Sequence, residues 1–242
     1  MSEDSVKARM IALRLAGVHQ AYEQQALGGG AFSDMPFVDR LEHLLATEMQ
    51  VREDRLRSRL LRQARFKHRA APDGILFDAV RGLDKSYIAE LLTCQWIKRA
   101  DNVLISGASG TGKSWIGCAL GMAAVQLSLQ VRYVRTNVTL EEMRLAHLDG
   151  SIAKFRAPLI SAPLLILDDF GIAPIPEQAK EDLLELLEGR IDNGATMVIG
   201  QLDPDEWHGY LDSPHLADAI MDRLVQRAHR LKLKGGSMRA RH

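Results

Sequence analysis

The chain has 242 residues, enough for one well-buried domain and a smaller appendage, and its 31 basic residues balance 31 acidic ones, so only local charge patches can point to a partner. Cys94 and Cys118 stand far apart without ligand-like neighbours, so neither a disulfide framework nor a zinc site is indicated. No apolar run is long enough to span a bilayer and the start, MSEDSVKARM, lacks the apolar centre of a secretion signal; the expected setting is cytoplasmic, with both thiols buried and reduced and no membrane partner.

In chain order, Val6, Met10, Leu13 and Ala16 or Gly17 recur at helical spacing, which predicts one helix over 6–25 before the Gly28-Gly29-Gly30 break. Ser33 or Asp34 then caps a longer helix with Pro36 in its opening turn and Leu41, Leu45, Met49, Leu56 and Leu60 along one face. The second half of this helix carries Arg52, Arg55, Arg57, Arg59, Arg62, Arg65, Lys67 and Arg69 against Glu53 and Asp54. At 100° per residue Arg52, Arg55, Arg59 and Arg62 form a stripe, either a ladder for DNA phosphates or a solvated face. No aromatic residue interleaves them, so contact with backbone phosphate rather than base stacking is the nucleic-acid version of that reading. Pro72-Asp73-Gly74 marks a boundary, dividing a helical extension at 1–71 from a main domain at 72–242. Residues 77–99 read as a loop and a helix leading into the first strand, with adenine expected near Arg81 to Leu83.

Asn102 to Ser106 reads as a buried strand, Trp115 to Leu127 as a helix, and between them Gly107-Ala108-Ser109-Gly110-Thr111-Gly112-Lys113-Ser114 fills every position of the phosphate-loop pattern. Glycines let backbone N–H groups turn inward around phosphate oxygens, and the helix N-terminus adds partial positive charge. Lys113 is expected on the β- and γ-phosphates, Ser114 on a magnesium ion, and Trp115 beside the nucleotide, which makes ATP and Mg2+ the expected cofactors.

A second strand is predicted over Gln130 to Arg135, a helix over Leu140 to Leu148, and a short piece over Ser151 to Pro158 whose Lys154 and Arg156 either are surface charges or line a nucleic-acid path. Leu164 to Asp169, LLILDD, reads as a buried parallel strand ending in two acids at the edge where such sheets bind ligands. Asp168 is the expected magnesium partner, and Asp169 can polarise an attacking water, which favours hydrolysis over simple nucleotide holding. In the acidic helix Glu177 to Arg190, leucines 183, 184, 186 and 187 are expected inward and Glu181, Asp182, Glu185 and Glu188 outward. Thr196 to Gly200 is another buried strand with Gln201 at its end, placed to touch a γ-phosphate or the water. Asp218 to Arg230 is a helix, Leu231 to Lys234 the last strand, and residues 223–242 carry seven Lys or Arg and no acid.

With RGLDKSYIAELLTCQWIKR, ISGASGTGKSW, LLILDDFGIAPI, DEWHGYL and ADAIMDRLVQRAHRLKLKGGSMR in register, the chain resembles the IstB-like ATP-binding proteins, helper ATPases of bacterial insertion sequences in the DnaC and DnaA clade of the AAA+ superfamily. The resemblance implies a three-layer α/β phosphate-loop domain with a mostly parallel five-stranded sheet behind a small helical domain. It also implies a homo-oligomer with shared ATP sites that assembles on and deforms double-stranded DNA and recruits and stimulates the transposase of the same element. Under it Lys113 and Ser114 are Walker A contacts, Asp168 and Asp169 the Walker B pair, Gln201 the sensor, and Arg223 the arginine finger, with Arg227 as second choice. Residues 140–158 correspond to the clade's helical insertion, making Lys154 and Arg156 DNA-contact candidates. Two departures stand out: Asp169 replaces the Glu of many AAA+ motors, so slow turnover is expected, and eight residues after Lys234 are too few for the usual helical lid. Rival readings are a DnaC-type helicase loader, a small phosphate-loop kinase, and a DNA clamp that binds ATP and barely hydrolyses it; the partner, DNA dependence and turnover separate them.

Overall fold

The computed structural model describes residues 3–28, 30–77 and 81–238. Asp78 to Val80 of the segment before the first strand, and Arg239 and Arg241 of the basic C-terminal run, lie outside the described residues. The chain divides into two compact units, Met1–Arg59 and Leu60–His242, so residues 60–71 belong with the second.

In the first unit, α1 (Glu3–Ala12), α2 (Ala16–Leu27) and α3 (Gly30–Ser33) precede α4 (Phe37–Ala64), which ends inside the second unit. The single helix expected over 6–25 is broken in two: Arg14 sits at φ 57° and α2 restarts at Ala16. The break has a tertiary cause. Glu48 of α4, only 6% exposed, accepts from the backbone N–H groups of Gly17 (2.6 Å) and Val18 (3.1 Å), groups that a continuous helix would use internally. A Cβ on Gly17 would come within 2.5 Å of the Glu48 Cα, so the absence of a side chain there permits the approach. Burial pushes the Glu48 carboxyl up, but the Arg52 guanidinium and these two N–H groups outweigh it and hold its pKa below the usual carboxylate range.

The second unit is built on a five-stranded sheet of β1 (Asn102–Gly107), β2 (Val131–Arg135), β3 (Leu164–Phe170), β4 (Ala195–Gly200) and β5 (Ala228–Leu233). The order is β2-β3-β4-β1-β5 and every pairing is parallel. Helices α5 (Lys85–Leu92), α6 (Gln95–Lys98), α7 (Lys113–Gln126), α8 (Thr136–Leu148), α9 (Ile152–Ile160), α10 (Glu177–Glu188), α11 (Trp207–Leu211) and α12 (Pro214–Val225) complete it.

Alternation along the strands divides the core into two layers. Leu104, Leu165, Leu167 and Val198 face a cluster with Met143 of α8, Leu183, Leu186 and Leu187 of α10, Leu211 of α11 and Ile220 and Leu224 of α12. On the other face α7 lies so close that a Cβ on Gly117 would come within 2.3 Å of Ile199. The expected acidic face of α10 holds except at Asp182, which is 2% exposed and bonded to His147 Nε2 of α8 at 2.7 Å. Arg190, just beyond α10, is also buried: its guanidinium donates to the carbonyls of Ile160 (3.1 Å) and Ala162 (2.9 Å) and to Thr196 Oγ1 (3.0 Å), closing the bottom of β3 and β4. Burial lowers its pKa to about 10.

Candidate functional site: a phosphate loop facing an acidic strand end

Because β4 lies between β1 and β3, whatever follows it must enter the space between the loop after β1 and the acids ending β3. A cleft of about 420 Å³ opens there, lined by Ser109, Gly110, Gly112, Lys113, Ser114, Trp115, Asp168, Asp169 and Gln201, together with Lys67, His68, Ile172 and Met238. The structure thus brings together the residues expected at the ends of three separate strands.

The loop conformation depends on its glycines. Gly107, Gly110 and Gly112 have φ of 142°, 84° and 89°, a region where a side chain is strained. The Lys113 ammonium donates to the carbonyls of Gly107 (2.7 Å) and Ala108 (2.8 Å), so the cation is held within the loop at the first residue of α7. Arg81 supports the loop from behind: its guanidinium donates to Thr111 O (3.0 Å) and Leu76 O (2.7 Å). Where adenine was expected near Arg81 to Leu83, the buried Arg81 side chain is engaged with the loop backbone. Residues 234–238 pass along the same loop, Lys234 N–H donating to Arg81 O (3.0 Å) and Met238 N–H to Gly110 O (2.8 Å).

Opposite, Asp168 is 1% exposed. Its Oδ1 accepts from the Asp169 N–H at 2.8 Å, its Oδ2 accepts from the Tyr133 hydroxyl of β2, and its carbonyl accepts from Thr136 Oγ1 at 2.9 Å. Burial, then the Asp168 carboxylate, push the Tyr133 phenol well above its ordinary value, so it stays a donor. Asp169 stands at φ 62° where the β3–β4 register shifts between Leu167 and Phe170. This bulge turns the second carboxylate, 31% exposed, toward the cleft. Gly200 makes room for it, since a Cβ there would lie 2.7 Å from the Phe170 carbonyl oxygen.

The donors fit a magnesium ion arriving with a nucleotide. Among the described residues no group of three His, Cys, Asp or Glu side chains could hold a metal, but Ser114 and Asp168 offer hard oxygens on either side of the cleft, and Mg2+ commonly takes one or two carboxylates and completes its shell with phosphate and water.

The other expected residues lie elsewhere. The Arg223 guanidinium donates to Glu188 Oε1 (2.7 Å) and Ala219 O (2.7 Å), and its own carbonyl accepts from Asn102 at the start of β1. The phosphate loop leaves the other end of that strand, roughly 16 Å away for the five steps to Gly107. Arg55, Arg59 and Arg62 are exposed on α4 and form no ion pair among the described residues, while Arg52 pairs with Glu48 at 2.7 Å. Arg65 (φ 55°), Lys67 and Arg69, expected on the helix, fall beyond its end at Ala64, where the left-handed turn at Arg65 breaks it. On α9, Lys154 is exposed, whereas Arg156 is tied to Glu185 of α10. Tyr133 and Met238 carry no sequence signal, and Lys67 reads as part of a basic run and Arg81 as a neighbour of adenine, because their partners here are distant in the chain.

A parallel sheet with a glycine loop and lysine at one strand end and an acidic pair at another defines a phosphate-loop nucleotide-binding protein. The comparisons narrow this: the model of the IstB-like ATP binding proteins matches residues 8–242, and the chain belongs to that family. It is 39% identical over 225 residues to a putative insertion sequence ATP-binding protein, y4pL, of Sinorhizobium fredii (strain NBRC 101917 / NGR234), covering 93% of this chain and 91% of the relative. It is 38% identical over 192 residues to the insertion sequence IS1162 putative ATP-binding protein of Pseudomonas fluorescens, covering 78% and 82%. Among solved structures, the DnaC helicase loader superposes with a TM-score of 0.59 at 14% identity, covering 68% of this chain and 97% of that one. AMPPCP-bound DnaA from Aquifex aeolicus gives 0.58 at 18%, covering 70% and 51%, a likeness of fold. No helix among the described residues is long and apolar enough to cross a membrane.

Proposed function

We propose that this protein is an ATP-dependent regulator of transposition: copies bind ATP, assemble on duplex target DNA and deform it, and recruit and stimulate the transposase of the same insertion sequence. The observation that carries the reading is the convergence of Lys113, Ser114, Asp168, Asp169 and Gln201 on one cleft in a chain of the IstB-like family. Loop N–H groups and Lys113 bind the phosphate tail, and Ser114 and Asp168 hold the magnesium ion. That ion supplies charge neutralisation at the phosphates. Asp169 accepts a proton from the attacking water, which Gln201 orients. Arg223, remote from the cleft of its own chain, acts in that of a neighbouring copy, where it stabilises charge on the terminal phosphate. Hydrolysis then loosens the assembly, so function resides in the ATP-bound state.

The exposed Arg55, Arg59 and Arg62 of α4, and Lys154 of α9, supply phosphate contacts without base preference. Arg156 is the weaker candidate, since DNA must compete with Glu185 for it. The helicase-loader reading uses the same ATP residues and differs in partner. Electron microscopy of the protein with duplex DNA, with and without ATP, tests the assembly: ATP-dependent coating of duplex supports it, and indifference to nucleotide refutes it. Co-purification with a hexameric helicase instead of the transposase would transfer the reading to the loader.

A further inference from the structure

Lys67, three residues past the end of α4, contributes to the cleft from outside every nucleotide motif. Its ammonium lies 3.6 Å from Asp169 Oδ2 and 3.9 Å from Asp168 Oδ2. Both separations exceed the about 2.7–2.9 Å of a charge-assisted hydrogen bond, so the cation balances the acidic pair without being locked to either member. One partner, Asp168, is almost wholly buried, so this is no ordinary surface pair.

The segment beneath the ammonium is packed through Phe66 against two elements of the sheet unit. The Phe66 ring meets the Tyr133 ring edge-on, centroids 6.4 Å apart at 67°. Phe66 also occupies the space left by Gly121 of α7, where a Cβ would come within 2.6 Å of the ring. The four-carbon stem of Lys67, 39% exposed, can reorient. A cation beside two carboxylates and in the same cleft as Lys113 and Ser114 has a second natural partner in a terminal phosphate.

Resting on the reading of this cleft as an ATP site, we infer that Lys67 is the residue that distinguishes triphosphate from diphosphate. Without a terminal phosphate it neutralises Asp168 and Asp169; with one, its ammonium turns to the phosphate. Lys113, held against the loop carbonyls, grips the tail of either nucleotide. The preference of Lys67 is conveyed through Phe66 to the last turn of α4, where the exposed Arg62 stands.

The test is calorimetric titration of the full chain with magnesium and either ADP or a non-hydrolysable ATP analogue, together with amide exchange over residues 63–70. The unmodified chain should favour the analogue, and Lys67→Met should weaken analogue binding about tenfold while leaving ADP affinity within about twofold. Lys67→Arg should restore the preference. Analogue, but not ADP, should alter exchange over 63–70, and Lys67→Met should erase that difference. Equal losses for both nucleotides, or no loss for either, overturn the inference and leave the ATP reading standing. Undiminished nucleotide binding by Lys113→Ala would instead remove the reading on which the inference rests.

Discussion

The Tyr133 hydroxyl donates to Asp168 Oδ2, joining the edge strand β2 to the carboxylate at the end of its neighbour β3. The bond leaves Asp168 with a fixed orientation inside a nearly closed environment, and its removal should be felt at the metal rather than in the fold. Tyr133→Phe is expected to weaken magnesium-dependent nucleotide binding by about 10-fold, the scale typical of a lost metal-supporting hydrogen bond, with thermal stability little changed. Titration of nucleotide at a series of magnesium concentrations reads the effect directly.

Two basic residues should separate binding from hydrolysis. Lys113→Ala removes the cation of the loop and is expected to abolish nucleotide binding and turnover together. Arg223→Ala should leave nucleotide affinity intact and reduce turnover at least about 1000-fold, the scale of a lost arginine finger. Mixing Arg223→Ala with Lys113→Ala should recover part of the activity, since each variant supplies what the other lacks. Parallel loss of nucleotide affinity in both variants would argue against a contribution in trans.

Glu48 makes the first unit sensitive to acid. Its folded pKa lies below the unfolded value, so its stabilisation is fully present above the unfolded carboxyl pKa, about 4.3, and is lost as pH falls through the folded value. Glu48→Gln is expected to cost about 1–3 kcal/mol locally at neutral pH and to flatten that acid dependence. Faster amide exchange at Gly17 and Val18, the two N–H groups that lose a charged acceptor, would record it.

Arg190 is a buried cation whose partners are carbonyls and a hydroxyl rather than a carboxylate. Arg190→Ala strips donors from several buried acceptors at once and is expected to cost about 3–5 kcal/mol. A lowered urea midpoint for the nucleotide-binding unit, with nucleotide affinity unchanged at low temperature, is the expected pattern.

Both thiols should be silent. Burial pushes Cys94 and Cys118 up to about 11, which leaves roughly one thiolate in a thousand at pH 8. Iodoacetamide should modify neither in the native chain and both in denaturant, as mass spectrometry would count.

Where function is encoded in neighbouring residues, the sequence was readable. The loop from Gly107 to Ser114 is contiguous, and β3 announces itself by four apolar residues followed by two acids, so the sheet, the loop and its acidic counterpart were all legible. What could not be read is whatever depends on a partner far along the chain. Helical periodicity continues through Leu13 to Gly17, and only Glu48, thirty-one residues from Gly17, explains the break. Asp182 fits the pattern of an outward acid until His147 is known to face it. Lys67 reads as one more rung of an arginine run, because nothing nearby reveals that α4 has already ended.

The kink at Asp169 has an implication for which acid this position can accept. Left-handed backbone is tolerated by aspartate and asparagine far better than by longer side chains. Lengthening this side chain to glutamate would therefore set reach against conformational ease. An Asp169→Glu exchange would then take a reshaped strand end as well as a new carboxylate, because the main chain at this position suits the shorter acid.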